Sequence, residues 1–256
     1  MKILSYNVNG IRSAMGKGLA EYLMQANADV ICLQEIKAQS HQIDQDVFRS
    51  LGYHCYWFPA EKKGYSGVAI LARKEPDQIR EGCGIEEYDS EGRFLRADFG
   101  EISIASVYAP SGSSGEHRQD FKMKWLGDFR GFIDQLKEER SQLILCGDFN
   151  ICNKSIDIHN PKSNQKTSGF LPEERAWFDD FLESGFVDSF RIINQNPGNY
   201  SWWSFRARSR EKNLGWRIDY VLASERLREK IIHVGLDADA VHSDHCPAWA
   251  VMDYPF

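Results

Sequence analysis

Long apolar runs are absent from this chain of 256 residues. Nothing in it approaches the ~18 consecutive apolar residues of a membrane helix. The start, MKILSYNVNG, turns polar after four residues, so no secretory signal is expected there. A basic excess is missing too. The formal net charge is −6, which argues against a general polyanion binder. It leaves room for positive charge gathered on one face, or for a metal ion that bridges to phosphate. Cysteine occurs six times, with no C-x-x-C pair and no regular spacing. Cys32 and Cys146 sit inside the apolar runs VICLQ and LILCG, where a thiol behaves as a small core residue. Reduced thiols in a cytoplasmic protein are therefore expected, rather than zinc ligands or disulfides. No repeat, low-complexity stretch or linker interrupts the chain. What is present, 42% apolar and 27% charged residues, is the make-up of a globular protein long enough to bury a sizeable core.

Short runs rich in β-branched residues recur: KILSYNV, DVICLQE, GVAILAR, ISIASVYAP, QLILCGDFN, RIDYVLAS and CPAWAVMDY. Most are bounded by Gly, Pro, Asp or Asn, and they read as strands. Between them lie stretches at helical spacing. Gly18 to Asn27 places Leu19, Tyr22, Leu23 and Ala26 on one face, and Asp120 to Arg140 does the same for Phe121, Trp125, Phe129, Phe132, Ile133 and Leu136. LPEERAWFDDFLESG carries Pro172 and acids at its start and Gly185 just past its end, the start and stop signals of a helix. Interleaved strands and helices predict an α/β or α+β layered sandwich. One domain over residues 1–256 is expected, because strands resume at once on either side of Gly112–Gly115 and Asn160–Ser168.

Polar residues at the ends of these strands carry the chemistry. ILSYNVN ends in Asn7 and Asn9, VICLQE in Glu35, ASVYAP at Tyr108, and LILCGDFN in Asp148 and Asn150, while VHSDHCP offers Asp244 and His245 before the last strand. Any one of these is an ordinary turn residue or cap. Several together, where strands meet loops, point to an assembled site. The set is rich in oxygen, with one imidazole and no thiolate. Such hard ligands suit Mg²⁺ or Mn²⁺ rather than zinc. His245 offers an alternative role as proton carrier, oriented by an acid such as Asp219. The combination favours metal-assisted cleavage of a phosphoester.

The motifs SYNVNGIRS, CLQEIKA, GYSGVAIL, EGRFLRADF, VYAPSG, LCGDFNI, DIHNPK, SGFLPEER, YSWWSFR, GWRIDYVL and SDHCP follow one another in this order over nearly the whole chain. In them the sequence resembles the exonuclease III family of abasic-site endonucleases, within the endonuclease/exonuclease/phosphatase superfamily that includes DNase I. GDFN alone would occur by chance; eleven motifs in register would not. The resemblance implies a DNase I-like four-layered α/β sandwich, two packed mixed β-sheets flanked by helices, with the site at one edge. It implies Glu35 as the main Mg²⁺ ligand, with Asn7, Asp148, Asn150, Asp244 and His245 around metal and phosphate. Asp148 matches the group that activates the attacking water or hands a proton to the leaving oxygen. Asn150 and Tyr108 match residues that hydrogen-bond the phosphate, and His245 with Asp219 matches the couple that holds it. The implied activity is Mg²⁺-dependent incision of double-stranded DNA 5′ to an abasic sugar, leaving a 3′-hydroxyl. Exonuclease action from 3′ ends and trimming of those ends are implied as well. Three positions depart from relatives. Asn9 stands where some carry an acid, Ser111 where others carry a longer amide, and Thr167 where some carry an amide. They put in doubt a second metal site, one phosphate contact and the substrate preference, in that order.

The stretch YSWWSFRARSREKNLGWRIDY inverts the charge of the rest. From Arg206 to Arg217 it holds five positive residues against one negative, laced with Trp202, Trp203 and Trp216. A tryptophan is most often core, and strand alternation would set Trp203 opposite Trp202. Trp202 and Trp216 are expected to wall an apolar pocket, with Leu214 close by. A sugar without its base could enter it; an intact nucleotide would be too large and costly to flip. Arg206 and the other intervening arginines would reach phosphates. Asn160, Lys162 and Asn164, together with Arg93 and Tyr65, match backbone contacts of the family. A monomer is expected. The competing functions are a phosphatase or phosphodiesterase on a non-nucleic-acid phosphoester, which has no need of the tryptophan-rich stretch, and a DNA-binding module without chemistry, which would not keep every catalytic position filled.

Overall fold

All seven β-branched runs form strands in the computed structural model, which covers residues 1–256. In chain order the strands are β1 (Lys2–Asn7), β2 (Val30–Gln34), β3 (His54–Phe58), β4 (Val68–Ala72), β5 (Gln78–Glu81), β6 (Phe94–Phe99), β7 (Ile102–Tyr108), β8 (Gln142–Asp148), β9 (Phe186–Asp188), β10 (Asp219–Ser224), β11 (Ile231–Leu236) and β12 (Ala248–Met252). They make two sheets of six, ordered β11–β12–β1–β2–β4–β3 and β5–β6–β7–β8–β10–β9. Each sheet is mixed for the same reason. Its central pair, β1 with β2 or β7 with β8, is parallel and its flanks are antiparallel.

The period of two along each strand builds the layers. Ile3, Val30, Cys32 and Ile70 of the first sheet meet Ile104, Ile144, Cys146 and Val221 of the second in one buried cluster between the sheets. The alternate residues Leu4, Tyr6, Ile31 and Leu33 face outward under helices α1 (Ile11–Met15), α2 (Leu19–Ala26) and α3 (Gln45–Ser50). Past the short α4 (Glu86–Asp89), helices α5 (Glu116–Glu139) and α6 (Pro172–Glu183) cover the second sheet, and α7 (Ser189–Ile193) follows β9. The cover is aromatic: Trp125 stacks on Phe129 at 4.5 Å, and Phe181 on Phe186 at 5.0 Å. The expected four-layered sandwich is what forms. No helix is long and apolar enough to cross a membrane.

Helix signals translate directly. Pro172 opens α6, and Glu174 accepts from the Leu171 amide at 3.0 Å and the Gly169 amide at 2.6 Å, satisfying donors the helix start leaves free. Asn27, at φ 46°, ends α2 in the left-handed region. Helix α5 starts four residues before the spacing suggests, at Glu116 after Gly115 at φ 111°. Five strands gave no signal. β6 is buried at all six positions yet holds Arg96 and Asp98, whose 3.0 Å ion pair hides a core strand behind polar letters.

Between the sheets runs a buried polar seam. Gln34 donates through Nε2 to Ser106 Oγ at 3.0 Å and accepts from Ser5 Oγ at 3.4 Å, while Ser106 donates to the Leu33 carbonyl at 2.9 Å. It lies directly under the strand ends that present the polar set, and sets the spacing of the two sheets there. Within the second sheet, Gly147 lets β8 lie close to β7, because a Cβ there would collide with the Val107 carbonyl.

Candidate active site

Register places the key residues side by side. In the parallel pair β1–β2, Asn7 sits opposite Gln34, the residue before Glu35. In β7–β8 Tyr108 sits opposite Asp148, and in β8–β10 Asp148 sits opposite Asp219. The two sheets therefore aim their polar ends at one edge. Donor atoms of Glu35, Asp148 and His245 all lie within 4.8 Å of one another. Asn7 bridges the sheets, its Nδ2 donating to Glu35 Oε1 at 2.8 Å and to Asp148 Oδ2 at 2.9 Å.

The loops leave the strands under strain. Asn9, Glu35, Lys37, Ser66 and Asn150 all have φ between 45° and 52°, a region costly for residues other than glycine. Hydrogen bonds hold them there: Gly10 N to Glu35 O at 2.7 Å, Lys37 N to Ser66 O at 2.9 Å, and Lys122 Nζ to Asn150 O at 2.8 Å. Lys122 is itself fully buried against Glu174 at 2.5 Å. Asn150 then donates from its backbone N to Asp148 Oδ1 at 2.8 Å and from Nδ2 to the Ala109 carbonyl at 3.0 Å.

Asp219 accepts from His245 Nδ1 at 2.9 Å and from Ser201 Oγ at 2.6 Å, which turns His245 Nε2 toward Asp148 Oδ2, 3.9 Å away. Asp244 stands farther out. Its carboxylate accepts from Asn9 Nδ2 at 2.9 Å and from Trp202 Nε1 at 3.0 Å, and it reaches Glu35 only through Asn9 and Lys37. Lys37 was missed by sequence reasoning. Its ammonium lies 2.6 Å from Glu35 Oε2 and 2.6 Å from Asn9 Oδ1, and the one hint was its place two residues after Glu35. Ser201, the hydroxyl under Asp219, left no signal at all.

Crowding of buried carboxylates governs the electrostatics. Burial, then the charge of Asp219, pushes Asp148 up to about 7. Burial alone would lower His245, but Asp219, Asp148 and Asp244 outweigh it and push it up to about 10. Burial would raise Glu35, but Lys37, Asn7 and His245 hold it below the usual range. Asp219 Oδ1 is buried without a hydrogen-bond partner. The sign of the pH dependence follows. Both Asp148 and His245 bind protons more tightly in the folded chain, so Asp148 withdraws stability as pH rises from about 4 to about 7, and His245 from about 6.5 to about 10. Thermal melts in chelator should therefore show Tm falling from pH 6 to pH 9; a flat or rising profile would contradict this charge arrangement.

The aromatic wall lies beside this cluster. Trp202 and Trp216 meet edge to face at 6.1 Å, backed by Ile158, Phe170 and Ile218. Isolated bridges tie Trp202 to both Trp216 and His245, so the wall and the charged set share one backbone. Trp203 is the core tryptophan, buried with Tyr200 and Cys246, although no strand forms there. Leu214 is exposed close by. The loop of Asn160, Lys162 and Asn164 is tied to the wall through His159 N to Gly215 O at 3.1 Å, and Thr167 Oγ1 caps Asn164 at 3.3 Å. Ser111 is paired with Ser113 at 2.9 Å.

Two expectations about cations need correction. The tryptophan-rich stretch is less basic at its surface than its letters suggest. Arg217 is buried between Asp157 at 2.7 Å and Asp188 at 2.6 Å, and Arg210 donates to the carbonyls of Ser243 and Ala238 while lying over Trp203. Arg206, Arg208 and Lys212 remain exposed. Arg93 is also interior, 2% exposed, with its guanidinium turned to Glu91 and the Tyr108 carbonyl; Tyr65 stands half-buried in front of it. Arg217→Ala should cost about 3–5 kcal/mol by removing a buried cation shared by Asp157 and Asp188, leaving Asp157 with Arg191 alone and Asp188 with only the amides of Phe190 and Arg191. Urea unfolding reads this, and a loss under 1 kcal/mol would show the pair to be dispensable.

Comparison with known proteins gives consistent matches. The model of the endonuclease/exonuclease/phosphatase family matches residues 4–245. The exodeoxyribonuclease of Bacillus subtilis is 44% identical over 255 residues, spanning 99% of this chain and 100% of that protein. The structure of an AP endonuclease from Archaeoglobus fulgidus superposes with a TM-score of 0.91 at 30% identity, covering 99% of this chain and 100% of that one. The 3′ phosphatase NExo from Neisseria, bound to a product DNA hairpin, superposes with a TM-score of 0.92 at 27% identity and the same coverage.

Proposed function

The chain belongs to the endonuclease/exonuclease/phosphatase family, in its exonuclease III branch of abasic-site endonucleases, and we propose that it is a Mg²⁺-dependent DNA-repair nuclease of base excision repair. It would incise double-stranded DNA 5′ to an abasic sugar, leave a 3′-hydroxyl, and trim 3′ ends, as a monomer of one domain working in the cytoplasm. The observation that carries this is the meeting of Glu35, Asp148 and His245 donor atoms within 4.8 Å, joined through Asp244 to the Trp202 wall. A non-nucleic-acid phosphoester would need the first cluster and not the second.

The donor set fits a hard divalent cation. It is rich in carboxylates, without thiolate, and so crowded that Asp148 is driven toward protonation. Glu35, Asp148, Asn7 and Asn150 would hold the ion, with Asp244 and His245 at its margin. When bound it supplies countercharge to the phosphate and the departing 3′ oxygen. Asp148, titrating near neutrality, takes the proton of the attacking water. His245, kept protonated by Asp219, donates from Nε2 to a phosphate oxygen, and Tyr108 and Asn150 donate to the others. Trp202 and Trp216, with Leu214 at the rim, receive the extrahelical sugar. Asn160, Lys162, Asn164, Tyr65 and Arg206 face the flanking backbone and fix position rather than sequence.

Cleavage of a duplex with one abasic analogue, with and without EDTA, tests the proposal. Incision 5′ to the analogue that stops in EDTA supports it; no incision, or incision indifferent to EDTA, refutes it. Trp216→Ala should raise KM for abasic duplex by about tenfold, on the scale of a lost aromatic contact of 1–3 kcal/mol. An unchanged KM with a lowered Tm would return Trp216 to the core.

A further inference from the structure

Behind Tyr108 lies a guanidinium shielded from solvent. Arg93 Nη1 donates to the Tyr108 carbonyl at 2.9 Å, and the Tyr108 amide donates back to the Arg93 carbonyl at 2.9 Å. The guanidinium carbon lies 4.8 Å from the centre of the Tyr108 ring. Nε donates to Glu91 Oε2 at 2.7 Å, and Nη2 donates to the Tyr65 hydroxyl at 3.1 Å and lies 2.6 Å from Glu91 Oε2. Glu91 is held in turn by Arg118 at 3.2 Å, whose guanidinium lies 4.3 Å over Phe121 on α5. The chain of contacts runs from helix α5 through Glu91 and Arg93 to the backbone and ring of Tyr108.

A phosphate-contacting arginine aims its fork outward, whereas all three nitrogens of Arg93 are engaged with Glu91, Tyr65 and the Tyr108 carbonyl. We propose that Arg93 is a positioning residue: it fixes the backbone and ring of Tyr108 so that the phenol meets the scissile phosphate, and Glu91 anchors it in that pose. This rests on the nuclease function above, in which Tyr108 touches the phosphate. A ring displaced by about 1 Å costs roughly 10²-fold in rate.

The test compares wild type, R93M, Y108F and R93M/Y108F on abasic duplex, measuring single-turnover rate, Kd and the salt dependence of Kd. R93M is expected to cut about 10²-fold more slowly, with Kd and its salt slope unchanged. In the Y108F background the same change should cost little, because residues acting as one unit do not add. A Kd weakened with a salt slope reduced by about one would instead make Arg93 a phosphate contact. An equal loss in both backgrounds would also overturn the proposal, as would a wild-type rate for R93M. Should R93M fail to fold, R93K takes its place, since it keeps the charge but loses the planar fork; the same rate and coupling criteria apply. Wild-type protein that fails to incise the duplex would sink the nuclease function itself, a result distinguishable from any of these.

Discussion

Asp148→Asn should lower turnover on abasic duplex by roughly 10²–10⁴-fold, the usual contribution of a positioned proton acceptor, while DNA still binds. The substitution keeps the shape. Asp148 accepts from the Asn150 backbone at 2.8 Å and from Asn7 at 2.9 Å, and its neighbours Asp219 and Glu35 remain. The capacity to take a proton, one unit of buried negative charge and one acceptor oxygen are lost, since the new amide NH2 cannot accept from Asn7 or Asn150 or ligate the ion. Relief of that crowding should leave the variant as stable as the parent or more so, so lost activity cannot be ascribed to unfolding. Single-turnover rates and Kd on the same duplex check it. A rate within threefold of wild type would remove Asp148 from the proton transfer.

Asp219→Asn should cost nearly as much, up to about 10⁴-fold, on the scale seen when a carboxylate that orients a catalytic histidine is neutralised. Asp219 accepts from His245 Nδ1 at 2.9 Å, is buried, and has one oxygen without a partner. It is also the strongest of the charges that hold His245 up to about 10. Without it only Asp148 and Asp244 are left to oppose burial, and the imidazole loses its proton at lower pH. The variant's residual activity should therefore decline with rising pH earlier than that of wild type. A pH–rate profile parallel to wild type would mean that His245 keeps its charge from another source.

The layered fold could be read from spacing alone, because the strands with a purely apolar face announced themselves. β6 did not, since its Arg96–Asp98 pair is satisfied by tertiary contact that no local pattern shows. β9 and β11 were missed for other reasons: β9 spans three residues, and β11 lies at a sheet edge with exposed Ile232. For the site, strand-end polarity singled out Asn7, Glu35, Asp148 and His245, which converge because β1–β2 and β7–β8 are parallel pairs and β12 starts, antiparallel, beside the end of β1. The resemblance added Tyr65, Arg93 and the residues of the Asn160 loop. It did not show that Arg93 and Arg217 point inward. A charged letter in a sequence carries no sign of burial; that depends on partners such as Glu91, Asp157 and Asp188, distant along the chain. Lys37 and Ser201 escaped for a related reason, as they act on Glu35 and Asp219 rather than on a substrate.

The central claim is that two sheets bring their oxygen donors together around one hard divalent ion. Anomalous diffraction from crystals soaked in Mn²⁺ tests it most directly. One strong peak is predicted about 2.0–2.6 Å from a Glu35 oxygen, between Asn7 and Asp148, and absent from Glu35→Gln crystals soaked alike. A peak elsewhere on the surface with none beside Glu35, or one unaffected by Glu35→Gln, would contradict the account.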